Sequence, residues 1–143
     1  MRLLTLPIIV FSLFMMYCDK GTEPEAPKCG PLSDPASELE ILYPSGDDQF
    51  KAGETINIQW KVNSRKISKV NLSVSVDDGY TLNDILTTML VPDNNEIECM
   101  NAYWEIGKLN DNSQIIDKDT TLLLIISDYD GDASETVVVK VKK

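Results

Sequence analysis

A chain of 143 residues with 13 Lys and Arg against 23 Asp and Glu carries a formal charge of −10 and contains no histidine. That balance excludes proteins that grip nucleic acid through a basic face, and it leaves anionic lipid accessible only through an apolar anchor. Without histidine the commonest general base and zinc ligand are missing, while 43% hydrophobic and 25% charged residues are ordinary for a folded domain.

The chain begins Met1-Arg2, followed by the apolar run Leu3–Tyr17, LLTLPIIVFSLFMMY, interrupted only by Thr5, Pro7 and Ser12. One positive charge ahead of a short apolar stretch is the pattern of an export signal, assigned here to residues 1–17. A spanning helix needs about twenty apolar residues, and Pro7 lies inside this run, which makes an uncleaved anchor the weaker alternative. No small-x-small pair for ordinary cleavage occurs between Phe14 and Gly21. The segment Leu13-Phe14-Met15-Met16-Tyr17-Cys18 instead resembles the lipobox of bacterial lipoproteins, departing from it in the large Met16 and Tyr17. That resemblance implies a lipidated Cys18 as the first mature residue, with the mature chain in the cell envelope, anchored to a membrane and facing the periplasm or the cell surface.

Residues 18–37 continue with Pro24, Pro27, Pro31 and Pro35 and no apolar periodicity, the composition of a tether. From residue 38 to 143 the period is two, as half-buried strands require. Leu39, Ile41 and Tyr43 alternate with Glu38 and Glu40. Ile56, Ile58, Trp60 and Val62 alternate with polar residues in the same way, then Val70, Leu72, Val74 and Val76, then Ala102, Trp104 and Ile106. Leu122–Ile126 is apolar throughout, which predicts a central strand covered on both faces; Val137, Val139 and Val141 end the series. Turn sequences such as Asp77-Asp78-Gly79 and Asp130-Gly131-Asp132 separate the runs. Leu82, Ile85, Leu86, Met89 and Leu90 fit helical as well as extended spacing; the segment is read as extended. The expected fold is all-β, an immunoglobulin-like antiparallel β-sandwich of about seven strands.

Three stretches carry a further resemblance: Tyr43-Pro44-Ser45-Gly46, Phe50-Lys51-Ala52-Gly53-Glu54-Thr55-Ile56-Asn57-Ile58-Gln59-Trp60, and Val70–Gly79. Together they are similar to the immunoglobulin-like domain named from the N-terminal part of yeast cell-wall β-glucan synthesis proteins, which recurs in Ser/Thr-rich GPI-anchored proteins and bacterial surface lipoproteins. Leu82 stands where that family commonly has tryptophan, and residues between Val91 and Asn101 are inserted. The resemblance implies a sandwich at a cell surface and carries over no site.

Trp60 and Trp104 share the apolar register of their strands and are read as core; a carbohydrate platform would need them exposed. Asp128, Asp130, Asp132 and Glu135 are the densest carboxylate group, but their spacing does not match an EF-hand and they are read as a solvated loop without metal. With Cys18 assigned to lipid, Cys29 and Cys99 remain; two thiols in an oxidising compartment tend to pair, the alternative being free thiols or an intermolecular bond. No catalytic residue and no cofactor are assigned. The reading is a non-enzymatic, lipid-anchored envelope protein whose domain serves adhesion, spacing or assembly, with the membrane and an envelope protein or glycan as partners and nucleic acid excluded. The alternative is a carbohydrate-binding module; a small hydrolase working through paired carboxylates ranks third. Expressed in a bacterial host fed labelled palmitate, the wild type should take up label and Cys18→Ser should not; label on the mutant would refute the anchor.

Overall fold

A computed structural model of the chain describes residues 29–143. The expected signal over residues 1–17, Cys18 and the first part of the tether lie outside the described residues.

Among the described residues nine strands form two sheets: β1 (Leu39–Tyr43), β2 (Gln49–Lys51), β3 (Thr55–Asn63), β4 (Lys69–Ser75), β5 (Asn83–Asp84), β6 (Met89–Leu90), β7 (Ile97–Glu105), β8 (Thr120–Asp128) and β9 (Ser134–Lys142). The smaller sheet has the order β1-β3-β7; the larger runs β2-β9-β8-β4-β5, with β6 also on β4. The fold is an all-β sandwich, and the difference between nine strands and the expected seven has two local causes. First, β1 pairs with β3 whereas β2 pairs with β9 in the other sheet, so one chain pass changes sheets through the turn that follows the cis Tyr43–Pro44 bond. Second, β5 and β6 are two pieces of one edge pass along β4. Asn83 and Asp84 oppose Val74 and Ser73, whereas Met89 and Leu90 oppose Val70 and Lys69, a register offset that the residues between them absorb as a bulge. The pairing is antiparallel throughout the sandwich except between the short β2 and β9, which run parallel.

Alternation is what closes the sandwich. Along β3, Ile56, Ile58, Trp60 and Val62 are buried while Thr55, Gln59 and the other intervening residues face outward. They meet Val70, Leu72 and Val74 of β4, Leu122, Leu124 and Ile126 of β8, and Val139 and Val141 of β9 in one core cluster. Trp60 is fully buried and Trp104 nearly so. Trp104 Nε1 donates to the Lys108 carbonyl at 2.7 Å, whereas Trp60 Nε1 has no partner. An unpartnered buried donor costs about 1–3 kcal/mol. Burying a ring of this kind, roughly 150–250 Å² at about 25 cal/mol per Å², outweighs it.

The reading of Leu122–Ile126 holds for one face only. Leu122, Leu124 and Ile126 are sealed between the sheets, but Leu123 and Ile125 on the outer face are half-covered. The strand is central, between β4 and β9; over its outer face lies the turn around Gly79, where a methyl group would touch Leu123 Cδ1 at 3.8 Å.

The boundary of the tether also moves. Cys29 is bonded to Cys99, 70 residues away, and the segment after it lies against the smaller sheet. Lys61 Nζ donates to the Pro31 carbonyl at 2.7 Å, the Ser33 backbone N–H donates to Glu40 Oε2 at 2.9 Å, and Leu32 is buried. The two Ser33 hydrogen bonds, side chain first, and then the Lys61 charge hold the Glu40 carboxyl below its ordinary pKa. Residues 29–37 are therefore part of the domain, and only residues 18–28 remain of the expected tether.

Two outcomes follow. Trp60→Ala and Trp104→Ala should each destabilise the domain by about 3–5 kcal/mol in chemical denaturation, and wild-type tryptophan emission should be blue-shifted and resistant to quenchers. Closing a loop with a sequence separation of 70 stabilises by about 4 kcal/mol in the chain-entropy description; Cys29→Ser should lose stability on that order, read as a lower denaturation midpoint with a steeper slope, because the unfolded chain without the cross-link exposes more surface.

Candidate functional site

The strand directions give the sandwich two unlike ends. Cys29 and Cys99, the turn Ser64–Ser68, the loop Val91–Glu96 and the Tyr129–Ala133 turn gather at the end where the chain enters. The opposite end carries the turns Pro44–Asp48 and Val76–Leu82, the long connection Ile106–Asp119 and the C-terminus. Along β7, Tyr103 lies four residues beyond Cys99, about 13 Å at a rise of about 3.3 Å per residue.

At the entry end, the chemistry is spoken for. Arg65 Nε donates to the Asn95 carbonyl at 2.6 Å, and Ser64 Oγ donates to the Glu96 carbonyl at 2.8 Å. Tyr129 lies under Lys69, whose Nζ is 5.2 Å from the ring centroid. The acidic group of this end does not converge: Asp128 is a buried residue closing β8, its N–H donating to the Ala133 carbonyl at 2.8 Å, while Asp130 and Asp132 point into solvent on the turn. Among the described residues no three His, Cys, Asp or Glu side chains assemble into a metal-holding group.

The far end is different. Tyr80 is 91% exposed, Tyr103 69% and Leu82 57%, and Val76 is exposed beside them. Tyr43 also lies here, but its ring stands edge-on to Phe50 with centroids 6.2 Å apart. Burial, then the charges of Asp48 and Glu54, raise its hydroxyl pKa.

The Tyr80 turn is rigid because Asp77 ties it down. Ser75 Oγ donates to Asp77 Oδ1 at 2.6 Å, the Thr81 N–H donates to the same oxygen at 2.8 Å, and the Gly79 N–H donates to Ser75 Oγ at 2.9 Å. Asp78 and Gly79 take φ values of 56° and 90°, a left-handed pair that an Asp-Gly sequence allows with little strain. The side-chain hydrogen bonds from Ser75 and Thr81, in that order, lower the Asp77 pKa to about 2.

The second far-end structure is a small hairpin after β7. The Ile115 N–H donates to the Gly107 carbonyl, the Leu109 N–H to the Ser113 carbonyl and the Asn112 N–H to the Leu109 carbonyl, each at 2.9 Å. Gly107, at φ 91°, leaves no room for a side chain: a Cβ there would meet Gln114 Oε1 and Ile116 Cγ1 at 2.8 Å. The Asn110 N–H donates to the Asp84 carbonyl at 2.9 Å, which fastens the hairpin across the side of the sandwich to the edge strand of the larger sheet. Between the hairpin and β7 lies a groove of about 290 Å³ that includes Tyr103, Leu86, Leu109, Asn110 and Asn112 in its walls and Trp104 beneath them. Across the smaller sheet Asn57 stands opposite Tyr103, its Oδ1 shielded and without a partner.

No protein-family model matches this chain, and no curated protein does. Solved structures are similar in fold. The fibronectin(III)-like modules of Clostridium thermocellum CbhA match at 16% identity and a TM-score of 0.39, over 73% of this chain and 93% of the module. A β-glucosidase from Listeria innocua, solved with glucose, matches at 9% identity and a TM-score of 0.50, over 76% of this chain and 16% of the enzyme. At these identities the likeness concerns the sandwich fold alone.

The sequence placed the tryptophans in the core, where the structure holds them. It missed that Tyr80 and Tyr103 share one end. The turn sequence Asp77-Asp78-Gly79 was the available signal for Tyr80; nothing in the sequence pointed to the hairpin that walls in Tyr103.

Because the Asp77 pKa lies below its ordinary 3.8, its contribution to stability is complete above pH 3.8 and is lost as the pH falls through about 2. Asp77→Ala should therefore be less stable than wild type at neutral pH, with the difference shrinking below pH 3.8 and gone only below pH 2, read from thermal melts across that range.

Proposed function

We propose that this chain is a non-enzymatic, lipid-anchored protein of the cell envelope that holds an immunoglobulin-like sandwich near a membrane and meets its partner with the end facing away. The observation that carries the reading is the polarity of the domain: the disulfide fixes the chain's entry at one end, and the exposed aromatic side chains that lack an internal partner stand at the other. Exposed tyrosines on a hydrogen-bonded turn, as Tyr80, or on a regular strand, as Tyr103, are favourable recognition elements, because little side-chain and loop entropy is lost when they are covered.

Cys18 as the anchor leaves residues 18–28 between lipid and domain, which span at most about 40 Å when fully extended. That reach suits a module acting close to its own membrane. The filled core and the shallow grooves favour presentation over catalysis, since paired carboxylates acting on a glycan need a cleft that places two acids across a bond. The acidic surface agrees with a partner that is not anionic.

The test is fractionation combined with substitution at both ends. The full-length protein should travel with the membrane fraction and Cys18→Ser should not. Retention of envelope material on the purified protein should fall in Tyr80→Ala and Tyr103→Ala and persist in Tyr129→Ala. Loss confined to Tyr129→Ala would place recognition at the entry end and reverse the reading.

A further inference from the structure

The groove beside β7 can be assigned a ligand class, on the reading that the far end is the recognition end. We propose that it binds a neutral saccharide, seating one sugar ring against Tyr103 with Asn110 and Asn112 hydrogen-bonding its hydroxyls.

Size comes first. At about 290 Å³ the groove sits at the lower limit of the roughly 300–1,000 Å³ of small-molecule sites. That is room for one ring of a short glycan and too little for a helix or a folded partner. Chemistry comes next. A sugar ring has one face of C–H groups and a rim of hydroxyls, so its site needs an apolar surface beside groups that both donate and accept. Tyr103, 69% exposed, and Leu86 and Leu109 supply the first; the amides of Asn110 and Asn112, exposed on the hairpin, supply the second.

Charge selects among glycans. The charges on the groove wall are Lys108 and Glu105, whose Nζ and Oε2 lie 3.4 Å apart and offset each other, while the chain as a whole carries −10. Uronic-acid and sulfated glycans are therefore repelled by the long-range field and find no unopposed cation in the groove.

The groove is also formed before any ligand arrives. The hairpin is closed by its own backbone hydrogen bonds and fastened through Asn110 N–H to the Asp84 carbonyl, and Trp104 Nε1 holds the Lys108 carbonyl from below. Binding thus spends little on ordering the site, and the buried Trp104 ring beneath it provides a fluorescence signal.

The full-length protein should be titrated with cellotriose, maltotriose and N,N′-diacetylchitobiose as neutral probes and with trigalacturonate as the anionic one, following tryptophan emission and confirming by calorimetry. At least one neutral probe should bind, with a change in Trp104 emission, and trigalacturonate should not. Tyr103→Ala and Asn110→Ala should each weaken that binding at least tenfold while leaving the melting temperature within a degree or two of wild type. Tyr129→Ala, at the entry end beneath Lys69, should bind the saccharide as wild type does, which ties the loss to this groove and not to removal of an exposed tyrosine. Binding of trigalacturonate alone, silence with all neutral probes, or full affinity in Tyr103→Ala would overturn the assignment. The last of these leaves the fractionation result for the far end standing on its own.

Discussion

Everything in this domain depends on one dry layer shared by two sheets. Trp60 is its centre: the side chain is fully enclosed, and Ile58 and Val62 on either side of it keep the same register. A slip of one residue in β3 would turn all of them to solvent and bring Lys61 and Gln59 inward. The unpartnered indole N–H shows how strongly apolar burial dominates here, since the ring is held in the core although its one polar atom finds nothing to bond.

From that layer the rest of the geometry follows. Because β3 and β4 lie in different sheets, as do β7 and β8, every loop is assigned to one end or the other by the direction of its strands. The Cys29–Cys99 bond then distinguishes the ends. It docks the incoming segment on the outer face of the smaller sheet, where Lys61 and Glu40 receive Pro31 and Ser33. This covers the entry half of that face and leaves its other half, around Tyr103, open. A disulfide that reads as a stabilising staple is in this way also what fixes the end at which the chain enters the domain.

Tyr80 and Tyr103, the most exposed tyrosines of the far end, are held in different ways. Tyr80 is held by a turn whose key acceptor is a single carboxylate serving Ser75 Oγ and the Thr81 N–H. Tyr103 sits on a regular strand and gains its surroundings from the hairpin that folds back beside it. A loop of side-chain contacts alone would lose its form on small perturbation, whereas backbone hydrogen bonds and a close-packed Gly107 hold the groove open.

The sequence by itself determined the sandwich and its core, because a period of two in Ile56–Val62 and Val70–Val74 has one stable outcome when both faces cannot be buried. It also confined the tryptophans to the interior. Local pattern misjudged features set by neighbours from afar. The outer face of β8 is half-open, with the Gly79 turn lying against Leu123, β2 pairs parallel because the first pass changes sheets, and residues 29–37 belong to the domain because Cys99 and Lys61, distant in sequence, hold them. The groove at Tyr103 was equally illegible, since its walls come from β7, the hairpin after Ile106 and the bulged edge at Leu86. Such a juxtaposition exists only once the sheets have packed, because strand alternation says which face a side chain takes and nothing about which loop arrives beside it.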